Sequence, residues 1–242
     1  MTPAASNPID APGTDEKTWR AWATLERLPA VDISAWRSAV VIAAHPDDEV
    51  LGAGATMCLL AAAGARLRLV SVTDGEASHP GGADPQVLAQ RRLGETAAAL
   101  RVLGVHAAEV IQLRLPDTGL AGRENEIAAL LRNLTAGFDA VLAPWDRDVH
   151  ADHEAAGRAA RAASQRTLFY PVWMWHWAFP GDPRVPWDRA VRVPLTPWVA
   201  GLKRRAIGCF ASQLEDRPAG AGPVLAPGTV AHFTRAQEVF FQ

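Results

Sequence analysis

The chain has 242 residues, of which 49% are apolar and 21% charged. That is ordinary globular usage, which excludes a largely disordered chain and supplies enough apolar material for a core. A formal charge of −2, from 24 basic and 26 acidic residues, gives no basic field for nucleic acid. The two cysteines, Cys58 and Cys209, exclude a disulfide framework and a cysteine-rich zinc site. The longest apolar stretch, Val50 to Ala65, is too short and too glycine-rich to span a membrane. Met1 to Thr14 lacks the basic start and apolar stretch of a signal peptide. A cytoplasmic location is the default expectation.

Residues 1–14 read as a flexible leader. Residues 15–28 carry acids first, then Trp19, Trp22, Leu25 and Leu28 at helical spacing, and predict one helix. Ser38 to Ala44 is a short continuous apolar run, the form of a buried parallel strand. A helix over 49–63, closed by Gly64, leads to a second strand, Arg66 to Val72. A glycine- and proline-containing loop precedes a long helix over 86–103. Strands at Glu109–Leu115 and Asp139–Ala143 then alternate with helices at 123–136 and Ala151–Ser164.

The order β-α-β-α-β-α-β-α predicts an α/β fold, Rossmann-like and doubly wound, with a mainly parallel sheet over 38–165. Residues 167–242, rich in proline and tryptophan, read as a C-terminal strand/helix extension with a helix near 197–211. Residues 15–242 are thus expected to form a single domain.

In such sheets the active site lies beyond the carboxyl ends of the strands. Two polar clusters fall there. Directly after the first strand comes Ala44-His45-Pro46-Asp47-Asp48-Glu49. Pro46 biases His45 to an extended conformation, and His45 and Asp48, three apart, can face one centre. Imidazole and carboxylate are both zinc ligands, and Asp47 between them is free for proton transfer. Plain helix capping needs one Asp or Ser and leaves the histidine, the proline and the other acids unexplained. The second cluster follows the fourth strand: Asp146-Arg147-Asp148-Val149-His150-Ala151-Asp152-His153. It offers two histidines at a helix start, with Asp152 placed to orient an imidazole. Together the clusters hold the inventory of an open three-ligand catalytic zinc site.

The AHPDDE hexapeptide with a later H-x-D-H resembles the PIG-L/LmbE family of zinc-dependent N-deacetylases. Thr73-Asp74-Gly75-Glu76, Arg92-Leu93-Gly94-Glu95 and Leu115-Pro116-Asp117 extend the resemblance across about residues 38–165, with a weaker continuation over 203–213. The resemblance implies hydrolysis of an N-acetyl amino sugar of the N-acetylglucosamine type. It implies Zn²⁺ on His45, Asp48 and His153, with Fe²⁺ or another divalent ion left open. It implies Asp47 as general base, and His150 as oxyanion stabiliser oriented by Asp152, with either Asp47 or His150 as the proton donor to the departing amine. It places Arg92 and Asp117 on sugar hydroxyls. The chain departs from some sugar deacetylases at Asp148, where those carry a tyrosine; the only tyrosine here is Tyr170.

Other candidates have plainer readings. Glu76 and Glu95 are expected as buried partners that hold the site; Lys203, Ser212 and Gln213 as structural. His106 and His232 have no acid/base neighbourhood in the sequence. Trp173, Trp175 and Trp177 alternate along a segment read as a strand, so they would share one face. That face is expected to pack against Trp19 and Trp22 rather than to stack on a sugar, with His176 facing the other way. Competing functions are an amidase for larger N-acyl or thiol-conjugate substrates and an inactive sugar-binding relative. A nucleotide-binding Rossmann enzyme would need G-x-G-x-x-G after the first strand, and Gly52-Ala53-Gly54 lies inside the helix instead. Whether the chain forms a homo-oligomer is left open.

Overall fold

The computed structural model describes residues 9, 11–82, 84–217, 220 and 222–242. Near the N-terminus lie two short helices, α1 (Glu16–Ala21) and α2 (Thr24–Arg27). The alternating core follows: β1 (Ser38–Ala43), α3 (Asp48–Ala62), β2 (Arg66–Thr73), α4 (Pro85–Val102), β3 (Glu109–Leu115), α5 (Glu124–Thr135), β4 (Ala140–Pro144), α6 (Ala151–Ala163) and β5 (Thr167–Tyr170). The extension adds α7 (Met174–Trp177), β6 (Ala190–Pro194), α8 (Pro197–Ile207), α9 (Ala211–Leu214), α10 (Pro227–Ala231) and β7 (Gln237–Phe241).

The seven strands form one sheet in the order β3-β2-β1-β4-β5-β7-β6. The first five are parallel, with Val41 opposite Leu69 on one side and Leu142 on the other. β7 runs antiparallel to both β5 and β6. The sequence explains the layering. Every residue of β1 and β4 is buried, as continuous apolar runs require in a sheet covered on both faces. α3, α4 and α8 pack together, and α5 packs on α6. β1 lies between β2 and β4, so the chain reverses its winding at the β1/β4 boundary. The carboxyl ends of those two strands therefore open the crevice that receives a ligand. Among the described residues, no helix is long and apolar enough to cross a membrane.

Two local expectations are corrected. The single helix over 15–28 is broken at Trp22, whose backbone is extended (φ −87°, ψ 93°). The break lets Trp19 meet Trp175 edge-on at 5.1 Å while Trp22 meets Trp187 at 4.7 Å; tertiary packing overrides local propensity. The Trp173–Trp177 segment is helical, not a strand. The cause is Asp148, whose carboxylate accepts the backbone amides of Val172, Trp173 and Met174 and so caps the turn. The indoles consequently diverge: Trp175 enters the core, Trp177 stacks on Trp145 at 6.4 Å, and Trp173 lines the crevice.

The leader expected over 1–14 lies outside the described residues at 1–8 and 10. Its later part is tied down: His176 Nε2 bonds the Ala11 carbonyl, and Thr14 bonds the carbonyls of His176 and Ala178. His176 thus serves the N-terminal segment and not the crevice. His232 also finds a partner that spacing could not show, Glu16, at 2.8 Å. Arg235 joins them with an ion pair of 2.6 Å to the same carboxylate.

Candidate metal centre

β1 ends at Ala43, and Pro46 then turns the chain into α3. β4 ends at Pro144, and α6 begins after His150. Because β1 and β4 are neighbours, these two turns bring His45, Asp48 and His153 together as the sequence anticipates. His45 Nδ1 lies 3.3 Å from His153 Nε2 and 3.5 Å from Asp48 Oδ2. Asp48 Oδ1 lies 3.2 Å from His153 Nε2. Three donors around one tetrahedral zinc ion, at Zn–N and Zn–O distances near 2.0–2.1 Å, stand about 3.3–3.4 Å apart. The separation of the two ring nitrogens therefore fits a small divalent cation, with the Asp48 carboxylate beside it offering one oxygen toward each ring.

The hydrogen-bond directions agree. His45 Nε2 faces the carboxylates of Asp117 (3.1 Å) and Asp152 (3.2 Å). His153 Nδ1 faces Asp148 at 2.7 Å. Ionised carboxylates only accept, so these two ring nitrogens carry the protons. The nitrogens left facing each other, His45 Nδ1 and His153 Nε2, are both bare acceptors in the neutral rings. A divalent cation between them, or a proton shared with Asp48, resolves the conflict. Metal-ligating histidines commonly bond a carboxylate through the other ring nitrogen.

The local field favours positive charge. Burial opposes protonation of His45, yet Asp117, Asp152 and Asp48 hold its pKa well above the usual imidazole value. Against the same burial, Asp48 and Asp148 push His153 up to about 9. Among the described residues, His45, His150 and His153 form one group with ligand atoms within 4.8 Å; His45, Asp117 and Asp152 form another. In the second group Asp152 also accepts the amides of Thr118 and Leu120, and Asp117 that of Ala77, as Asp48 Oδ2 accepts that of His45.

Asp47 stands beside the centre with an exceptional backbone, φ 122° and ψ −33°. Its carboxylate does not cap α3 but turns to Arg92, 3.1 Å away. Burial pushes its pKa up to about 7, with Arg92 pulling down and Asp48 adding to the rise. That places it where a carboxylate can both accept and return a proton near neutrality. Behind it, Glu49 is fully buried and is pushed up to about 8 by burial and by Asp47 and Asp48.

His150 caps α6, its Nδ1 accepting the Asp152 backbone amide at 3.3 Å. The proton therefore sits on Nε2. Burial and the neighbouring His153 and His45 lower its pKa to about 3, so it is a neutral hydrogen-bond donor. Here the structure corrects one expected contact. The Asp152 carboxylate does not orient His150; it bonds His45 and the 118–120 turn, because it is the second residue of α6 and points toward β1. Arg92 and Asp117 both line the crevice, but each also braces it. Arg92 donates to the carbonyls of Pro46 and Gly75, and Asp117 holds His45.

Glu76 accepts the Asp117 amide, as a residue that holds the site would; Glu95 instead accepts from Ser212 and Arg91, away from the named site residues. The site residue that sequence reasoning misses is Asp148. In the sequence it stands only as a missing tyrosine, whereas its carboxylate holds His153. The crevice encloses about 140 Å³, and its lining includes the apolar side chains of Leu51, Val172, Trp173 and Leu225.

Residues 40–164 match the family model described as PIG-L, GlcNAc-PI de-N-acetylase. A 1D-myo-inositol 2-acetamido-2-deoxy-alpha-D-glucopyranoside deacetylase of Streptomyces scabiei is 32% identical over 196 residues, 68% of this chain and 58% of that protein. A second protein of that name (deacetylase 2), from Catenulispora acidiphila, is 33% identical over 156 residues, 53% of this chain and 51% of its own. The chain thus spans about half the length of the curated relatives it matches. Among solved structures, the conserved protein TT1542 of Thermus thermophilus superposes with a TM-score of 0.58 at 26% identity, covering 84% of this chain and 93% of that one. A deacetylase of the teicoplanin biosynthesis pathway reaches 0.64 at 19% identity, covering 84% and 96%, and shows the shared fold. By motif, fold and the extent of the match, the chain belongs to the PIG-L family.

Proposed function

We propose that this chain is a divalent-metal-dependent N-deacetylase of an N-acetylglucosamine-type sugar, hydrolysing the acetamide to acetate and a free amine. The supporting observation is that His45 Nδ1 and His153 Nε2 lie 3.3 Å apart with the Asp48 carboxylate against both, Oδ2 at 3.5 Å and Oδ1 at 3.2 Å, while the other nitrogen of each ring faces a carboxylate. Zn²⁺ fits this donor set, and Fe²⁺ is a second candidate. A divalent ion held there supplies Lewis-acid polarisation of the acetyl carbonyl and eases deprotonation of water.

The remaining steps fall to the side chains. Asp47 takes the proton of the attacking water. His150, neutral and protonated on Nε2, donates to the oxygen that gains negative charge, a contact whose loss typically costs about 10²–10³ in rate. The low pKa of His150 makes it a poor proton source. Asp47, once protonated, is therefore the donor to the departing nitrogen. Arg92 keeps the Asp47 carboxylate aimed, and Trp173 with Leu225 receives an apolar face of the sugar or its aglycone.

The test is a metal analysis of the whole chain paired with assays of acetate and amine release. The substrates are simple N-acetylglucosaminides and N-acetylglucosaminyl-inositol. Equal release of both products, stopped by a chelator and restored by Zn²⁺, is the expected result. A metal-loaded chain that turns over none of these substrates overturns the proposal.

A further inference from the structure

Asp47 presents an unusual combination. It precedes the first turn of α3, where an Asp ordinarily uses its own carboxylate to accept an amide of that turn. No such bond forms; its main-chain carbonyl accepts from Val50 and Leu51, and the carboxylate faces Arg92. The residue holds φ of 122°, a region that side-chain-bearing residues rarely enter. Such a backbone persists only where its surroundings over-determine it.

One element of that surrounding is Arg92, which grips the Pro46 carbonyl and the Asp47 carboxylate. The other is Glu49. Its Oε2 accepts the Asp47 backbone N–H at 3.0 Å. The bond resembles the reach-back of a capping box, but from the second helical residue. Glu49 is 0% exposed, and its Oε1 has no hydrogen-bond partner among the described residues. Glu49 takes no part in lining the crevice. A carboxyl buried this completely, with one oxygen unused, is costly, so its bond to the Asp47 amide has to offset that cost.

We infer that Glu49 is a positioning residue for Asp47: it fixes the amide of the strained residue and so aims the carboxylate at the crevice, without touching the substrate or the ion. The inference rests on the deacetylase reading for its kinetic consequence, and on backbone geometry alone for its structural one.

Two substitutions separate this role from simple packing. Glu49→Gln keeps an acceptor for the Asp47 amide. Glu49→Met keeps the volume and removes a strong acceptor. Metal content, kcat and KM for amine release, and crystal structures of both variants in the full chain are the readouts. Glu49→Gln should keep kcat within about 3-fold, with the Asp47 backbone in place. Glu49→Met should keep its metal and its KM but lose kcat by about 10²-fold, the loss that an error near 1 Å in a reacting group produces. Its Asp47 should leave the positive-φ region.

A Glu49→Met protein with parental kcat, or with Asp47 unmoved, overturns the inference. So does loss of the metal, which would assign Glu49 to Asp48 instead. Should Glu49→Met not fold, Glu49→Gln still decides, because a 10-fold fall in its kcat at full metal content contradicts the acceptor role. If the parent chain releases no amine, the deacetylase reading fails while the Asp47 conformations in the crystal structures still judge Glu49.

Discussion

Asp148→Asn is the perturbation that probes most sharply how the histidines are set. Asp148 is fully buried, and one of its oxygens lies 2.7 Å from His153 Nδ1 while the pair together accepts the amides of residues 172–174. Asparagine keeps the shape but has one acceptor oxygen. The oxygen can stay with the Val172 and Met174 amides, which puts the NH₂ against His153 Nδ1 and the Trp173 amide. His153 can then accept that NH₂ only by moving its proton to Nε2, the atom aimed at Asp48. A proton there competes with the ion. Loss of a charge-assisted hydrogen bond costs about 1.5–3 kcal/mol, which is roughly 10–100-fold in affinity and the range usual for such partners of metal ligands. Zinc affinity measured by competition with a chromophoric chelator should fall by that factor, with thermal unfolding of the chelated protein shifted much less. A variant that binds zinc within about 3-fold of the parent would refute the tautomer argument.

Asp47→Ala should retain its metal and lose amine release by about 10²–10⁴-fold; near-parental turnover at full metal content would remove Asp47 as the base. Trp173→Ala should raise KM up to about 10-fold with little change in kcat, as expected for a stacking surface, read from steady-state kinetics. Gly157→Ala would set a Cβ 2.5 Å from the Pro144 carbonyl and 2.8 Å from the Asp146 amide. Forcing α6 off β4 should cost about 1–3 kcal/mol in urea unfolding and weaken metal binding through His153. Glu16 sets an acid limit on stability. Burial works against its ionisation, but hydrogen bonds from His232 and Arg235 hold it down at about 2 from an ordinary 4.5. A lowered carboxylate stabilises the fold above its unfolded value and loses that contribution as pH falls towards the folded one. Glu16→Gln should therefore cost about 2–3 kcal/mol at pH 7, and the deficit should shrink between pH 4.5 and 2; an unchanged deficit at the acid end contradicts the pairing.

The alternation of apolar runs and helical patterns is enough to place four of the parallel strands and the crevice, because β1 and β4 are buried on both faces and read as continuous hydrophobic stretches. The meeting of the AHPDDE and H-x-D-H segments is legible for the same reason, since both follow neighbouring strands, at the ends where such sheets bind ligands. What escapes are contacts whose partners are remote or main-chain. Asp148 looks like a departure because its work lies with three amides of a tryptophan segment some two dozen residues on. That capping also turns the segment helical, which defeats the period-two reading of its indoles. The bond of Asp152 to His45 rather than His150 depends on the tilt of α6 over β1, and spacing within one segment carries no information on that. The break at Trp22 belongs to the same class, set by Trp187 across the fold.

The proposed chemistry depends on one divalent ion shared by the two strand-end turns. The most direct measurement is anomalous scattering at the zinc edge from crystals of the full chain grown with Zn²⁺, alongside metal analysis of His45→Ala and His153→Ala. A single strong peak bonded to His45 Nδ1, Asp48 and His153 Nε2 is expected, and its loss in both variants. A peak on the His45 Nε2 side among Asp117 and Asp152, or undiminished zinc in either variant, would contradict it.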